Sequence, residues 1–275
     1  MGELIHLTLK AEPALPVEAE SITPDNLRGK NEEEIKNLPV WCGNVQEKIG
    51  DYFEVEKEQS AGEIRVVLTG ECAQFKRIGQ GMSFGELVIE GGAGFHTGAL
   101  MRGGSLQIKG DVADWLGAQM EGGRITVAGN AGHFVGAAYR GKTQGMSGGM
   151  ILIEGDAGQM TGSRMRRGLI AVKGNCGDAL GFKLLAGTIF AGGRVGRHPG
   201  ANMLRGTIIL GEQPELLPSF YYNCTYRPVF WNMLCAELAG CGFFLSPGGQ
   251  DASFKRYSGD ALNGGKGEIL VWQST

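Results

Sequence analysis

Residues 85–103 read GELVIEGGAGFHTGALMRG, residues 104–122 read GSLQIKGDVADWLGAQMEG, and the same frame opens again at Gly123. Each unit begins Gly-x-(Ile/Leu)-x-(apolar)-x-Gly and continues through a variable stretch to a second Gly, with a Met-like residue three positions later. Units open at Gly85, Gly104, Gly123, Gly149, Gly168, Gly187 and Gly206. Five of the six intervals are nineteen residues, and the sixth, Gly123 to Gly149, is nineteen plus seven. A fixed period of this size marks a stacked, quasi-one-dimensional architecture. Such a body holds other things in place, so the period predicts a scaffold before it predicts an enzyme.

Two alternating apolar residues follow each opening Gly: Leu87 and Ile89, Leu106 and Ile108, Ile125 and Val127, and so on to Ile208 and Leu210. Alternation over four or five residues is a short strand with one buried face. A unit of nineteen is too short for two strands and a crossover helix, and no helical period runs through it. The sequence therefore predicts an all-β, right-handed parallel β-helix (solenoid) of about seven coils. At strand spacing the coils would stack to a rod about 30 Å long. Glycines would turn the corners, and Asp111, Asn130, Asp156 and Asn175 would assist as residues tolerant of left-handed turns. Met101, Met120, Tyr139, Met165, Leu184 and Met203 would form one inward column.

Solenoid ends expose unpaired strand edges and need covering. Residues 1–60 are expected to form an N-terminal cap and docking segment, 61–213 the β-helix, and 214–275 a C-terminal cap with a short helix. The first contains strand-like Ile5–Leu9, a short helix near Glu32–Lys36 and a strand near Tyr52–Val55. The last contains a helical stretch around Val229–Leu238 and a strand at Glu268–Trp272. The aromatics Phe220, Tyr221, Tyr222, Tyr226, Phe230 and Trp231 suit packing on a coil end or against a partner.

The formal net charge of −3 gives no global case for nucleic acid or an acidic membrane. The start lacks a signal-peptide pattern, and no apolar run approaches the roughly eighteen residues of a spanning helix. A soluble, cytoplasmic protein is the expectation. Six cysteines form no C-x-x-C pair and read as buried small apolar residues. His96 and His198 hold equivalent places five units apart and cannot share a metal ion. The nineteen-residue period also fits no calcium β-roll, and no Gly-rich stretch carries the Lys-Ser/Thr of a phosphate loop. The sequence predicts no catalytic residue, no metal site and no cofactor bound by this chain.

Two features stand above this background. One is the insert in the Arg140–Gly149 stretch, since solenoid inserts emerge as loops on a binding face. The other is a cluster of cations. Arg102, Arg140 and Arg166 are placed in one column, Arg164 and Lys183 in a second, Arg167 and Arg205 in a third. Stacked cations repel unless something anionic lies across them, although Glu121 interrupts the first column. The alternative is a solvated face or salt bridges at a protein interface.

These residues carry a family resemblance: Arg77-Ile78-Gly79-Gln80-Gly81-Met82, the Tyr139-Arg140-Gly141 and Gly145-Met146-Ser147-Gly148-Gly149 stretch, Arg166-Arg167-Gly168, Leu204-Arg205-Gly206, and Gly264-Gly265-Lys266-Gly267-Glu268. The chain resembles the C subunit of formylmethanofuran dehydrogenase and its counterpart in the bacterial formyltransferase/hydrolase complex. The Gly repeat alone is less specific, because the C-terminal domain of the glutamate synthase large subunit looks alike. The resemblance implies a non-catalytic β-helix subunit that joins others: one amidohydrolase-like, one related to molybdopterin or tungstopterin enzymes, and, in the bacterial complex, one formyltransferase-like. Any pterin or zinc would then lie on those partners. It also implies chemistry that interconverts formyl-methanofuran or methylofuran with tetrahydromethanopterin-bound formyl and formate or carbon dioxide. The coenzymes' polyglutamate tails give the basic columns an expected ligand. Two other readings follow from the same residues: a glutamate-synthase-type β-helix domain, and a free-standing solenoid binding module.

Overall fold

The computed structural model describes residues 2–245 and 252–273. The chain opens with β1 (Gly2–Leu9), then β2 (Val17–Glu18), α1 (Pro24–Leu27), α2 (Glu32–Lys36), β3 (Pro39–Cys42), β4 (Val45–Lys48), α3 (Ile49–Tyr52) and β5 (Phe53–Ser60). Next come β6 (Arg65–Thr69) and β7 (Phe75–Lys76). The repeats supply β8 (Glu86–Ile89), β9 (Ser105–Ile108), β10 (Arg124–Val127), β11 (Met150–Ile153), β12 (Leu169–Val172), β13 (Thr188–Ala191) and β14 (Thr207–Leu210). The last part holds β15 (Tyr221–Tyr226), α4 (Val229–Gly240), β16 (Ser253–Gly259) and β17 (Gly267–Gln273).

The fold is mostly β, and thirteen of these strands form one sheet in the order β15-β16-β17-β14-β13-β12-β11-β10-β9-β8-β6-β1-β5. From β1 to β17 every neighbour is parallel, while β5, β16 and β15 are antiparallel additions at the two ends. Leu87, Leu106, Ile125, Ile151, Ile170, Ile189, Ile208 and Ile269 are register partners in one unbroken row. The row passes the seven-residue insert without a slip, because a one-residue shift would turn every inward side chain outward. A second line of parallel bridges joins Cys72, Ala93, Val112, Ala131, Ala157, Cys176 and Val195. Successive repeats therefore lie on one another along two sides.

One hydrophobic core runs from Ile5 to Val271. It crosses both expected boundaries, so the terminal segments extend the same interior. A fully buried Ile or Leu contributes roughly 1.5–3 kcal/mol, which makes the stacked rows the main stabilising term. Glycine is required at Gly117 for two reasons. Its φ is +58°, and a Cβ there would come within 2.6 Å of the Ile151 side chain.

The outward middle positions of the strands divide the sheet. Gln107 and Thr126 are polar, whereas Leu152, Ala171, Phe190, Ile209 and Leu270 are apolar and buried. α4 covers the apolar part. Its Trp231 and Leu238, seven residues apart on one helix face, are buried against these residues. Trp231 lies 5.9 Å from the Phe190 ring and 5.0 Å from Phe254, centroid to centroid.

Three expectations need correction. Asp111, Asn130, Asp156 and Asn175 are not among the residues of positive φ. Instead each side-chain oxygen accepts the backbone N–H of the equivalent residue one repeat on, at 2.6–2.9 Å. The glycine beside each acceptor leaves that space free: a Cβ at Gly129 would collide with Asp111 Oδ1. Tyr139 does not belong to the inward column. Met146 takes that place, fully buried, with its methyl group beside Gly168. The insert thus lies before Met146, and the chain returns to register there. Among the cysteines, Cys72 and Cys176 are buried, with burial raising each thiol to about 12. Cys42, Cys235 and Cys241 are half-buried and Cys224 is exposed, so these four depart from the expectation.

Candidate functional site

The loop from Tyr139 to Gly145 lies along the corner of the next repeats and is tied down at both ends. At its start, the Tyr139 hydroxyl shares a hydrogen bond with His96 Nδ1 at 3.0 Å. Burial lowers the His96 pKa, assisted by the positive charges of Arg77 and Lys76, and burial raises that of Tyr139. Both groups are held in their neutral, hydrogen-bonding forms. At the far end the Gly145 N–H donates to the Arg164 carbonyl at 2.8 Å. Arg164 Nη1 donates to the Lys142 carbonyl (2.5 Å) and Arg166 Nη1 to Gln144 Oε1 (3.2 Å).

Between loop and stack runs a groove. Its widest part, about 760 Å³, is lined by Arg166, Arg167, Arg205 and Lys266, with Gln144 from the loop. The adjoining stretch of about 350 Å³ adds Arg164, Lys183 and Thr143. No carboxylate lines either part. Among the described residues these six cations have no salt-bridge partner within 4 Å, so their charge faces the groove. Lys183 rests over the Phe182 ring, 5.3 Å from its centroid. Converging guanidinium and ammonium groups give a chain of net charge −3 a locally positive surface, of the chemistry that pairs with carboxylates or phosphates.

Of the residues expected in this site, Arg164, Arg166, Arg167, Lys183 and Arg205 do come together. Arg102 does not: it stands three repeats before Arg166 in the same column and pairs with Glu121 at 3.6 Å. Arg140 also leaves its expected column. Because Met146 resumes the register, Ser147 holds that place, its N–H donating to the Met120 carbonyl as the Arg102 N–H does to Met82. Arg140 sits instead on the loop, where with Arg164 it lines the groove's upstream end.

Lys266 and the aromatic anchors of the loop were not anticipated. His96, Trp115 and Phe134 occupy one position of three successive repeats, two residues before the Gly98-type glycine, so the signal was present in the period. His198 holds the same position five repeats from His96, as expected, and both have positive φ. Among the described residues, no set for acid–base or nucleophilic chemistry lines the groove.

No protein-family model matches the chain. Part of it is 42% identical over 101 residues to the C subunit of tungsten-containing formylmethanofuran dehydrogenase 2 of Methanothermobacter thermautotrophicus, covering 36% of this chain and 37% of that protein. It is also 42% identical over 100 residues to the C subunit of molybdenum-containing formylmethanofuran dehydrogenase 1 of Methanosarcina barkeri, covering 35% and 33%. The matched stretch thus spans about a third of the length of these relatives. A solved structure matches far more widely. It is the formyltransferase/hydrolase complex of Methylorubrum extorquens, determined with methylofuran, one chain of which superposes with a TM-score of 0.86 at 33% identity. That match covers 98% of this chain and 100% of the other. Near-complete coverage by one relative and agreement of the others in name place the chain in the family of the formylmethanofuran dehydrogenase C subunit and its formyltransferase/hydrolase counterpart.

Proposed function

We propose that this chain is the non-catalytic scaffold subunit of a multisubunit one-carbon enzyme complex. In this reading the stacked repeats form a right-handed parallel β-helix, closed by caps at residues 1–60 and 214–275. The body holds catalytic subunits together in the cytoplasm. Those subunits are amidohydrolase-like, pterin-enzyme-like and formyltransferase-like, and any molybdenum, tungsten or zinc centre belongs to them. The reaction interconverts formyl-methanofuran or methylofuran with tetrahydromethanopterin-bound formyl and formate or carbon dioxide.

The observation that carries the reading is the outer face of α4. The helix contains one charged residue, Glu237, and is apolar on both sides. Trp231 and Leu238 face the sheet, while Val229 is 82% and Met233 71% exposed, with Phe244 at 68% just beyond the helix. Tyr221 and Tyr222 extend the same apolar character along the edge strand β15. Large apolar side chains exposed beside Asn232 and Glu237, on a helix whose other face is already buried, form a patch of the kind that marks a protein interface. The basic groove supplies a second role, guiding the polyglutamate tail of the coenzyme between active sites on neighbouring subunits.

The test is assembly. Replacing Val229→Asp together with Met233→Asp is expected to remove at least one co-purifying subunit while leaving the chain's own thermal unfolding unchanged, since neither side chain packs on the sheet. Unaltered subunit composition in the double variant would refute docking through α4.

A further inference from the structure

At its upstream end the groove changes from basic to aromatic. A concavity of about 330 Å³ lies between the loop and the stack, walled by Trp115, Phe134, Met160 and Phe182, with Tyr139 and Arg140 on the loop side. Arg164 lines both this concavity and the basic stretch beside it, so the two are continuous. No carboxylate faces the space. Its volume falls within the roughly 300–1,000 Å³ of small-ligand sites.

The walls are built at some cost. Trp115 and Phe134 stack with ring centroids 4.3 Å apart and planes 8° from parallel, and Tyr139 leans on Trp115 at 5.2 Å. Both stacked residues sit in left-handed backbone, with φ of +67° and +63°. Every repeat has positive φ at this position, from Arg77 to His198. Glycine or asparagine would occupy it with least strain, whereas a bulky side chain there costs on the order of 1–3 kcal/mol. Trp115 and Phe134, the two large rings of this column, stand in successive repeats beside the loop. Downstream the column shrinks to Met160, which also walls the concavity, and then to Ala179 before His198. A rigid aromatic wall, a taper and two arginines at the rim form a shaped site, whereas rings that served only to anchor the loop would leave no opening.

We propose that this concavity binds a planar aromatic group attached to a carboxylate, the ring lying against Phe134, Met160 and Phe182 and the acid facing Arg140 and Arg164. The inference rests on the reading of the basic groove as the path of an anionic tail, and assigns that path an aromatic terminus. Arg164 donates one N–H to the Lys142 carbonyl and keeps further guanidinium donors for a ligand acid.

Two peptides separate the claims: N-acetyl-phenylalanyl-triglutamate and N-acetyl-alanyl-triglutamate, titrated calorimetrically into the full chain at low ionic strength. The aromatic peptide is expected to bind about tenfold more tightly, as ring contacts of this kind allow. Met160→Ala and Phe134→Leu should each abolish that preference and leave the alanyl peptide's affinity unchanged. Alanine already holds the Met160 position in the next repeat, at Ala179 with the same positive φ, so the Met160 variant carries the test if Phe134→Leu fails to fold. Equal affinity of wild-type chain for the two peptides would overturn the aromatic seat and leave the anionic path standing. Binding of neither would overturn both.

Discussion

Single side chains hold the repeats in register at the surface through two ladders of backbone acceptors. The first is Asp111, Asn130, Asp156 and Asn175, in which acid and amide alternate so that no two carboxylates are adjacent. The second passes through Asp114, whose Oδ1 accepts the His133 N–H, and His133, whose Nδ1 accepts the Gln159 N–H. In the same column, two repeats further on, Asp178 accepts the Arg197 N–H at 2.7 Å. That backbone bond is the main cause of a lowered Asp178 pKa, opposed by some desolvation and aided by the Arg197 side chain. A depressed carboxylate pKa gives stability that is complete above the unfolded value and disappears as pH falls through the folded one. Glu3 adds to this trend. Burial raises its pKa, but the Gly29 N–H and Lys57 outweigh burial and the net shift is downward. The urea midpoint of the chain should therefore drop between about pH 6 and about pH 3, and drop less in Asp178→Asn, which keeps an acceptor but cannot titrate. A midpoint equally acid-sensitive in that variant would show that Asp178 is not a contributor.

Among the elements, the inserted loop is separable from the stack that carries it. Ala138 and Met146 occupy consecutive places of the repeat, because the Ala138 N–H reaches the Ser163 carbonyl and the Met146 N–H reaches the Gly136 carbonyl as Met101 reaches Gly98. Deleting residues 139–145 restores a nineteen-residue interval between Gly123 and Gly149. The deletion variant should fold with its unfolding temperature lowered by only a few degrees, from loss of the Tyr139–His96 contact, and should lose one wall of the groove. Loss of folding would mean that the loop is part of the core, against the register described above. The same local geometry explains what could be read beforehand. The strands, α2, α4 and β17 were legible because alternation and helical runs are local signals. Which residue resumed the period after the insert was not, since Tyr139 and Met146 both fit an apolar slot by spacing, and only the stacking of Met146 beneath Gly168 decides between them. The seat of α4 was legible in principle: the outward residues change from Gln107 and Thr126 to Leu152, Ala171, Phe190 and Ile209.

For the whole molecule, cationic and apolar surface have different centres. The cations line the loop-side groove, with Leu204 exposed among them, whereas Tyr221, Tyr222, Val229, Phe230 and Met233 are exposed on β15 and α4. The free edges of the long sheet differ in the same way. β5, with Glu54, Glu56, Lys57 and Glu58, is charged as exposed edges usually are, whereas β15 carries no charged residue. Among the described residues no helix is long and apolar enough to cross a membrane. Reversing charge with Arg166→Glu and Arg205→Glu should weaken binding of a polyglutamate-bearing coenzyme at least tenfold at low salt. The difference from wild type should shrink as salt rises toward about 1 M, where screening acts within about 3 Å. Affinity indifferent to both changes would rule the groove out as the path of the tail.

Whether this chain works as the frame of a larger assembly is decided by the mass and subunit composition of the protein isolated under native conditions. Light scattering coupled to size exclusion gives the first, and mass spectrometry of the peak gives the second. A frame should elute as a particle several times heavier than one chain, containing this chain with catalytic subunits of a one-carbon complex. Recovery as a lone, monodisperse monomer with no co-purifying subunit would contradict that role.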